Sequence, residues 1–302
     1  MAAPDTSSLD LSLSANAIGR GGMIRIDRPP AGQAVPLIVA SPHSGQAYPD
    51  EFAEQACLDR LTLRRSEDAF VDELVDQTPE FGGAMLRALF PRVYVDPNRG
   101  PWELDPGMFA DRLPSEADTV SRRASSGLGV IPRIGVEGRP IYRSRLRYAE
   151  ARERLDACYT PYHDALAGLI DQTRDRFGHA LLIDMHSMPA QSARGVDVVI
   201  GDRFGSSCHP ALTDRVEQIL TLMGYVAVRN IPYAGGYTTE HYGRPVEGVH
   251  VVQIEINRSL YMDERRVVKL SEFDSFKENI SRFISLLCET DWHRQLASQS
   301  RP

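Results

Sequence analysis

The sequence predicts an α/β protein, a three-layer sandwich with a mixed, mostly parallel central sheet. Three observations support this fold class: short apolar runs recur along the chain, amphipathic stretches separate them, and several runs end at polar residues. Apolar runs without alternation are typical of strands that helices cover on both faces. Strands that alternate with helices indicate layers of helix, sheet and helix.

The predicted elements follow one another along the chain. Apolar, largely β-branched runs predict strands at residues 37–40, 93–95, 181–185, 198–200 and 249–256. Apolar residues at helical spacing predict helices at 68–80, 149–177, 212–223 and 280–287. We expect Pro161 to break or kink the second of these helices. The segment 96–138, rich in Gly, Pro and Arg, predicts long loops, which are usually functional inside a compact domain.

Composition and chain organisation exclude several classes of function. We expect a flexible leader at residues 1–20, which lacks the apolar run of a secretory signal, and a single α/β domain at 21–302. The 302 residues include 34 Lys and Arg against 41 Asp and Glu. The resulting formal charge of −7 disfavours binding to nucleic acid or to an anionic membrane. No run of about 18 apolar residues predicts a transmembrane helix.

Cysteine usage gives an expectation about the cellular compartment. The chain has four cysteines, which lie far apart without any Cys-x-x-Cys spacing. Such spacing favours neither a disulfide framework nor a cysteine zinc site. A reducing cytoplasm is therefore the expected location.

Polar residues follow the predicted strands where those strands end. His43 follows the first strand, Asn98 and Arg99 follow the second, His186 follows the third, and Glu255 lies near the end of the last. In open α/β sheets, ligands bind beyond the carboxyl ends of the strands. Imidazoles and carboxylates are the residue types of a mononuclear zinc hydrolase, in which three protein ligands leave a fourth position for water. The sequence therefore predicts a metal site at this edge.

The carboxylate ligand is left open by the spacing. The sequence contains neither HExxH nor HxxE, since Gln46 stands three residues after His43. The nearest acidic residues are Glu67 and Asp68, at the start of the helix predicted from residue 68. A carboxylate in that position also stabilises a helix N-terminus, so capping is an alternative to metal binding.

A glycine-rich segment predicts a loop that contacts the substrate. Gly235 and Gly236 would allow a ligand to approach the backbone closely. His241 follows this segment and is a candidate for contact with the substrate or an oxyanion. His163 is expected instead to make a structural hydrogen bond.

The sequence resembles the N-formylglutamate amidohydrolase (N-formylglutamate deformylase) family. The similar segments occur in the same order over about residues 36–263, most of the chain. They are residues 41–49, which begin Ser-Pro-His-Ser-Gly, and residues 67–74, 95–100, 161–166, 182–189, 235–237 and 253–257.

This resemblance implies a phosphorylase/hydrolase-like fold similar to that of the zinc carboxypeptidases. It implies one zinc ion per chain, held by His43, Asp68 and His186, with Glu255 as general base and acid. Glu67 and Asp72 remain alternatives to Asp68, because a helix would place Asp68 and Asp72 on one face.

The resemblance also implies how the substrate would be held. Asn98 and Arg99 would bind a carboxylate. Because a protein of net charge −7 repels a dianion at long range, a local basic pocket is needed. Among the arginines of the loops, Arg143 is our choice for the second carboxylate of such a substrate, although a solvated loop is the alternative for this region.

The implied activity is hydrolysis of N-formyl-L-glutamate to formate and L-glutamate, as in histidine degradation. One alternative is a zinc hydrolase of another N-acyl amino acid or a small peptide, and another is a non-catalytic anion-binding protein. The expected partner is a small anionic N-acyl amino acid. Iron, cobalt or manganese could occupy similar ligands, and the sequence gives no oligomeric state.

Overall fold

The computed structural model describes residues 16–18 and 22–298, and its main feature is one mixed sheet. Eight strands of the described residues form it in the order β1-β2-β4-β3-β5-β8-β6-β7. Pairs β3–β4, β3–β5, β5–β8 and β6–β7 are parallel, and the other three are antiparallel. The predicted mixed, mostly parallel sheet is therefore confirmed. The strands are β1 (Asn16–Ile18), β2 (Ile24–Asp27), β3 (Leu37–Ser41), β4 (Ala84–Ala88), β5 (Ala180–Met188), β6 (Val198–Gly201), β7 (Ala227–Arg229) and β8 (Val249–Asn257).

Helices lie on both faces of this sheet. They are α1 (Asp50–Gln55), α2 (Arg60–Arg64), α3 (Val71–Leu74), α4 (Arg122–Ser125), α5 (Tyr148–Arg154), α6 (Thr160–Phe177), α7 (Ala190–Ala193), α8 (Pro210–Leu222), α9 (Tyr237–Tyr242), α10 (Phe273–Cys288) and α11 (Trp292–Ser298). A π-helical turn, Leu155–Tyr159, joins α5 to α6 just before Pro161, where the sequence predicts a break. A separate small hairpin pairs β9 (Met262–Asp263) with β10 (Val268–Lys269).

Strand β5 shows how the sheet divides the core in two. Leu181 and Ile183 belong to one apolar cluster, which includes residues of α8 and α10. Leu182 belongs to the cluster on the other face, together with Leu166 of α6. Because side chains alternate along a strand, this central strand is buried on both faces, as its continuous apolar sequence predicts.

Two predicted elements are wrong. Residues 93–95 lie in and directly after a turn rather than in a strand. Pro91 precedes them and Pro97 follows, and the Tyr94 N–H donates to the Pro91 carbonyl at 2.9 Å. The apolar character of the run reflects burial, since Val95 is fully buried. The strand in this part of the chain is instead β4, which the sequence analysis missed because it contains no β-branched residue.

The helix predicted from residue 68 is the second error. Phe70 adopts the left-handed region, with φ +67°, which interrupts a helix because a side chain there is crowded. The chain forms only the short α3 and a 3-10 turn, Thr78–Phe81. Asp68 therefore lies in a loop before α3.

Three further sequence predictions concern the N-terminal leader, membrane-spanning helices and the number of domains. Most of the predicted leader, residues 1–15 and 19–20, lies outside the described residues, while Asn16–Ile18 within it pair with β2. No described helix is both long and apolar enough to span a bilayer. The assignment of residues 21–302 to a single domain stays a prediction.

Candidate metal and substrate site

Three adjacent parallel strands bring the predicted site residues to one edge of the sheet. His43 follows β3, His186 lies in β5 and Glu255 lies in β8. His186 and Glu255 are register partners across the β5–β8 pair. Partners in neighbouring strands project to the same face of a sheet. The topology therefore explains why side chains far apart in sequence meet.

His43, Asp68 and His186 form a compact triangle. The Nδ1 atoms of the two histidines are 3.0 Å apart. The Oδ2 atom of Asp68 lies 3.2 Å from His43 Nδ1 and 3.0 Å from His186 Nδ1. Ligand atoms at about 2.1 Å from a tetrahedral zinc ion would lie about 3.4 Å from one another. All three residues are at least 98% buried, so the triangle has the size and burial that a metal site needs.

The outer ring nitrogens fix which atoms face the centre. His43 Nε2 donates to Asp96 Oδ1 at 2.7 Å, and His186 Nε2 donates to Asp184 Oδ2 at 3.0 Å. A neutral imidazole that donates from Nε2 has an unprotonated Nδ1. When both imidazoles are neutral, three electron-pair donors therefore face one another without a donor hydrogen between them. Such an arrangement is stabilised by positive charge, supplied either by a proton on one imidazole or by a metal ion, and carboxylates behind metal-binding imidazoles are common.

The charge balance of the triangle also favours a cation. Burial alone lowers the pKa of His186, but Asp184 and Asp68 outweigh it and raise that pKa well above the usual value. Burial alone raises the pKa of Asp68, but Arg92 and the hydrogen bonds from the two histidines hold that pKa well below its usual range. Asp68 is thus ionised, and its surroundings favour positive charge on the histidine side.

Asp68, rather than its acidic neighbours, reaches the histidines. Its backbone N–H donates to the His43 carbonyl at 3.0 Å, which holds the loop against the end of β3. Glu67 instead accepts from the Tyr48 hydroxyl at 2.7 Å. Asp72 lies in α3 and is outside the group of ligand atoms that converge.

Two arginines contact Oδ1, the other carboxylate oxygen of Asp68. Arg258 Nη2 donates to Asp68 Oδ1 at 2.9 Å, and Arg92 Nη1 lies 3.4 Å from the same atom. Arg258 also donates from Nε to the Ser187 hydroxyl at 3.1 Å. These contacts orient the carboxylate so that Oδ2 alone faces the histidines.

Glu255 is the acidic residue of β8 that lines the same cavity as the two histidines. Its Oε1 accepts from Gln253 Nε2 at 2.8 Å. Burial raises the pKa of Glu255 to about 7, against the opposing effect of His186. A carboxyl group with such a pKa can both accept and release a proton near neutral pH.

The cavity in front of the triangle has a volume of about 620 Å³. Loops from the segment 96–138, which the sequence predicts to be functional, form much of its wall. The lining contains five arginines, Arg65, Arg92, Arg99, Arg123 and Arg258. The same lining contains three acidic residues, Asp96, Glu137 and Glu255. Arginines are therefore in excess at the cavity, although the chain as a whole carries a net charge of −7.

Asn98 and Arg99 also line the cavity. Asn98 Nδ2 donates to Gln253 Oε1 at 3.3 Å and lies 3.2 Å from His186 Nε2, and Asn98 Oδ1 accepts from the Thr238 N–H at 2.9 Å. Arg99 donates to the backbone carbonyls of Leu128 and Asn98. These bonds fix both side chains next to the triangle.

Gly235 and Gly236 also line the cavity. A Cβ atom on Gly236 would come within 2.4 Å of the Asn98 amide, which is far closer than atoms can pack. The glycine is therefore required for Asn98 to keep its position.

Arg143 and His241 do not line this cavity, which corrects two sequence predictions. Arg143 is exposed, and its N–H donates to the Gln55 carbonyl, because this segment pairs with the chain that follows α1. His241 is exposed and stacks on Tyr237, with ring centroids 4.9 Å apart. It lines a separate groove, together with His163 and Tyr242.

His163 makes the structural hydrogen bond that the sequence analysis expects. Its Nε2 donates to the Pro97 carbonyl at 2.9 Å. This bond ties α6 to the loop that carries Asn98.

Sequence reasoning missed four supporting residues. The position of Asp184 could have been predicted. Residues two apart in a strand lie on one face, and Asp184 stands two residues before His186. No sequence pattern indicates the other three. A loop brings Arg92 and Asp96 to the triangle, and the end of β8 brings Arg258 there.

Comparison with known proteins identifies the family. The profile described as N-formylglutamate amidohydrolase matches residues 35–262. The chain belongs to this family. The matched range contains His43, Asp68, His186 and Glu255, so the whole candidate centre lies within the part that defines N-formylglutamate amidohydrolases.

Two curated relatives are named N-formylglutamate deformylase. The one from Pseudomonas aeruginosa is 33% identical over 239 residues, 76% of this chain and 84% of that protein. The one from Pseudomonas putida is 29% identical over 238 residues, 76% of this chain and 83% of that protein. A crystal structure of N-formylglutamate amidohydrolase from Ralstonia eutropha JMP134 is 35% identical, with a TM-score of 0.83 over 88% of this chain and 97% of that one.

The triangle predicts a specific effect on metal affinity. Asp68→Asn should lower the affinity for Zn²⁺ at least about 100-fold, because it removes the anionic donor of the site, and loss of supporting residues alone costs 10- to 100-fold. Competition with a chromogenic chelator measures this affinity. Asp72→Asn is the matched control and should bind Zn²⁺ like the wild type. Equal Zn²⁺ affinity of Asp68→Asn and the control, with both variants folded by circular dichroism, would contradict the assignment.

Proposed function

We propose that the protein is a zinc-dependent amidohydrolase that cleaves N-formyl-L-glutamate to formate and L-glutamate. The observation that carries this proposal is the convergence of three buried electron-pair donors in front of a basic cavity. The names of the curated relatives support the choice of substrate. The free state of the four cysteines supports a cytoplasmic location.

His43, Asp68 and His186 would hold the metal ion. Two imidazole nitrogens and one carboxylate oxygen are a usual donor set for catalytic zinc. A zinc ion bound there supplies Lewis-acid chemistry, which polarises a carbonyl group and lowers the pKa of water. Asp96 and Asp184 keep the two imidazoles in the orientation that this donor set requires.

Glu255 would move the proton during hydrolysis. It takes a proton from the attacking water at its carboxylate and then gives that proton to the nitrogen that leaves the formyl group. Its pKa of about 7 suits both steps, since a group that titrates near the working pH can do both. Gln253 holds Glu255 by a hydrogen bond at 2.8 Å and so limits its rotation.

Asn98 and Arg99 would hold the α-carboxylate of the substrate beside the reacting bond. Arg99 Nη2 has no hydrogen bond to a described residue and lies 3.6 Å from the carboxylate of Asp96. It can therefore donate to a substrate carboxylate while Nε and Nη1 keep the guanidinium in place. Charge-assisted hydrogen bonds of this kind are short and strong.

Formate release tests the proposed function directly. The wild-type protein should release formate from N-formyl-L-glutamate, lose this activity with a chelator and regain it with added Zn²⁺. An enzymatic assay for formate measures the rate. Acetate release from N-acetyl-L-glutamate without any formate release from the formyl compound would contradict the proposal and favour a different acyl substrate.

Replacing Glu255 tests the proton-transfer role. Glu255→Gln should lower kcat at least about 100-fold, the usual contribution of a general acid–base residue, while Zn²⁺ content stays at one per chain. Glu240→Gln, on the exposed end of α9, is the control and should keep wild-type kcat. Near-normal kcat in Glu255→Gln would show that another group moves the proton.

A further inference from the structure

Arg123 differs from the other arginines that line the cavity. Arg65 pairs with Glu137, Arg92 with Asp96, and Arg258 with Asp68. Arg99 donates to two backbone carbonyls. In contrast, the Arg123 guanidinium has no hydrogen bond or ion pair within the described part of the chain. A cation without a partner in the wall of a binding cavity is available to a ligand.

The backbone that carries Arg123 is firmly held. Arg123 lies in α4, whose Ala124 is fully buried. The Ser121 hydroxyl accepts from the Ala124 N–H at 3.0 Å. The Arg123 carbonyl accepts from the Leu128 N–H at 2.8 Å. The side chain is therefore presented from a fixed turn, so that ligand binding has to order only the side chain itself.

Leu128 connects Arg123 to the substrate-binding residues. Its N–H donates to Arg123 and its carbonyl accepts from Arg99 Nε at 2.9 Å. Arg99 and Arg123 are therefore neighbours on one wall of the cavity. Burial lowers the pKa of Arg99. The charge of Asp96 opposes this effect, whereas the nearby charges of Arg92 and Arg123 add to it. A second carboxylate bound at this wall would relieve the repulsion.

We propose that Arg123 binds the side-chain carboxylate of the substrate and makes the site selective for N-acyl derivatives of dicarboxylic amino acids. This inference rests on the proposed function. Asn98 contacts His186, so Asn98 and Arg99 lie at the reacting end of the substrate. Arg123 stands next to Arg99 on the same wall, where the far end of a dianionic substrate can reach it.

Paired substrates test the role of Arg123. Arg123→Gln should raise KM for N-formyl-L-glutamate about 10- to 100-fold, the usual value of hydrogen bonds to a charged group. Its kcat should change little, because the far carboxylate is bound equally in the ground and transition states. With N-formyl-L-glutamine, which has the same length without the charge, the variant and the wild type should have similar KM values.

Arg122→Gln is the matched control. Arg122 is the exposed neighbour of Arg123 in α4 and does not line the cavity. This variant should keep the wild-type preference for N-formyl-L-glutamate. Arg143→Gln should also keep it. Loss of the preference in Arg143→Gln, or its retention in Arg123→Gln, would overturn the inference while the proposed function stands.

A binding measurement separates this inference from the proposed function. Calorimetric titration should show that the wild type binds glutarate about 10- to 100-fold more tightly than the monoamide of glutarate, and that Arg123→Gln binds both alike. If the wild type releases no formate but shows this charge preference, the proposed function fails and the role of Arg123 stands. Equal glutarate affinity of the wild type and Arg123→Gln would overturn the role of Arg123.

Discussion

The structure depends on one electrostatic constraint: three electron-pair donors face one another at 3.0 to 3.2 Å in a buried site. Without a cation they would repel one another. The surrounding groups keep them there, since Asp96 and Asp184 orient the imidazoles. Arginines on the far oxygen of Asp68 offset the cost of burying that carboxylate, because a buried charge is tolerated when it is paired and hydrogen-bonded. The polar groups around the triangle thus hold it ready for a cation.

The residues of the site come partly from the sheet and partly from the loops. Strands β5 and β8 are buried on both faces and set the positions of His186 and Glu255. The loops supply Asp68, Asn98 and the arginines that give the cavity its charge. Positions on a packed sheet change little, whereas loops can vary. The sheet therefore fixes His186 and Glu255, whereas the loops add Asp68 and the arginines of the cavity wall.

Sequence reasoning succeeded where a residue follows directly from the strand pattern. His43, His186 and Glu255 end apolar runs, and parallel strands bring their carboxyl ends to one edge. It could not locate a site residue whose position depends on the path of a loop. Spacing could not separate Asp68 from its acidic neighbours, because the left-handed Phe70 that shapes the loop leaves no mark in the pattern. The position of Arg143 could not be read from the sequence for the same reason. Its segment pairs with the chain after α1, so other arginines form the cavity wall.

The position of a bound metal ion tests the central claim most directly. Crystals grown with Zn²⁺ and measured at the zinc absorption edge would show each zinc ion as an anomalous peak. We expect one strong peak per chain, about 2.0 to 2.2 Å from His43 Nδ1, His186 Nδ1 and Asp68 Oδ2. A fully occupied zinc site elsewhere, with no peak between these three atoms, would contradict the account.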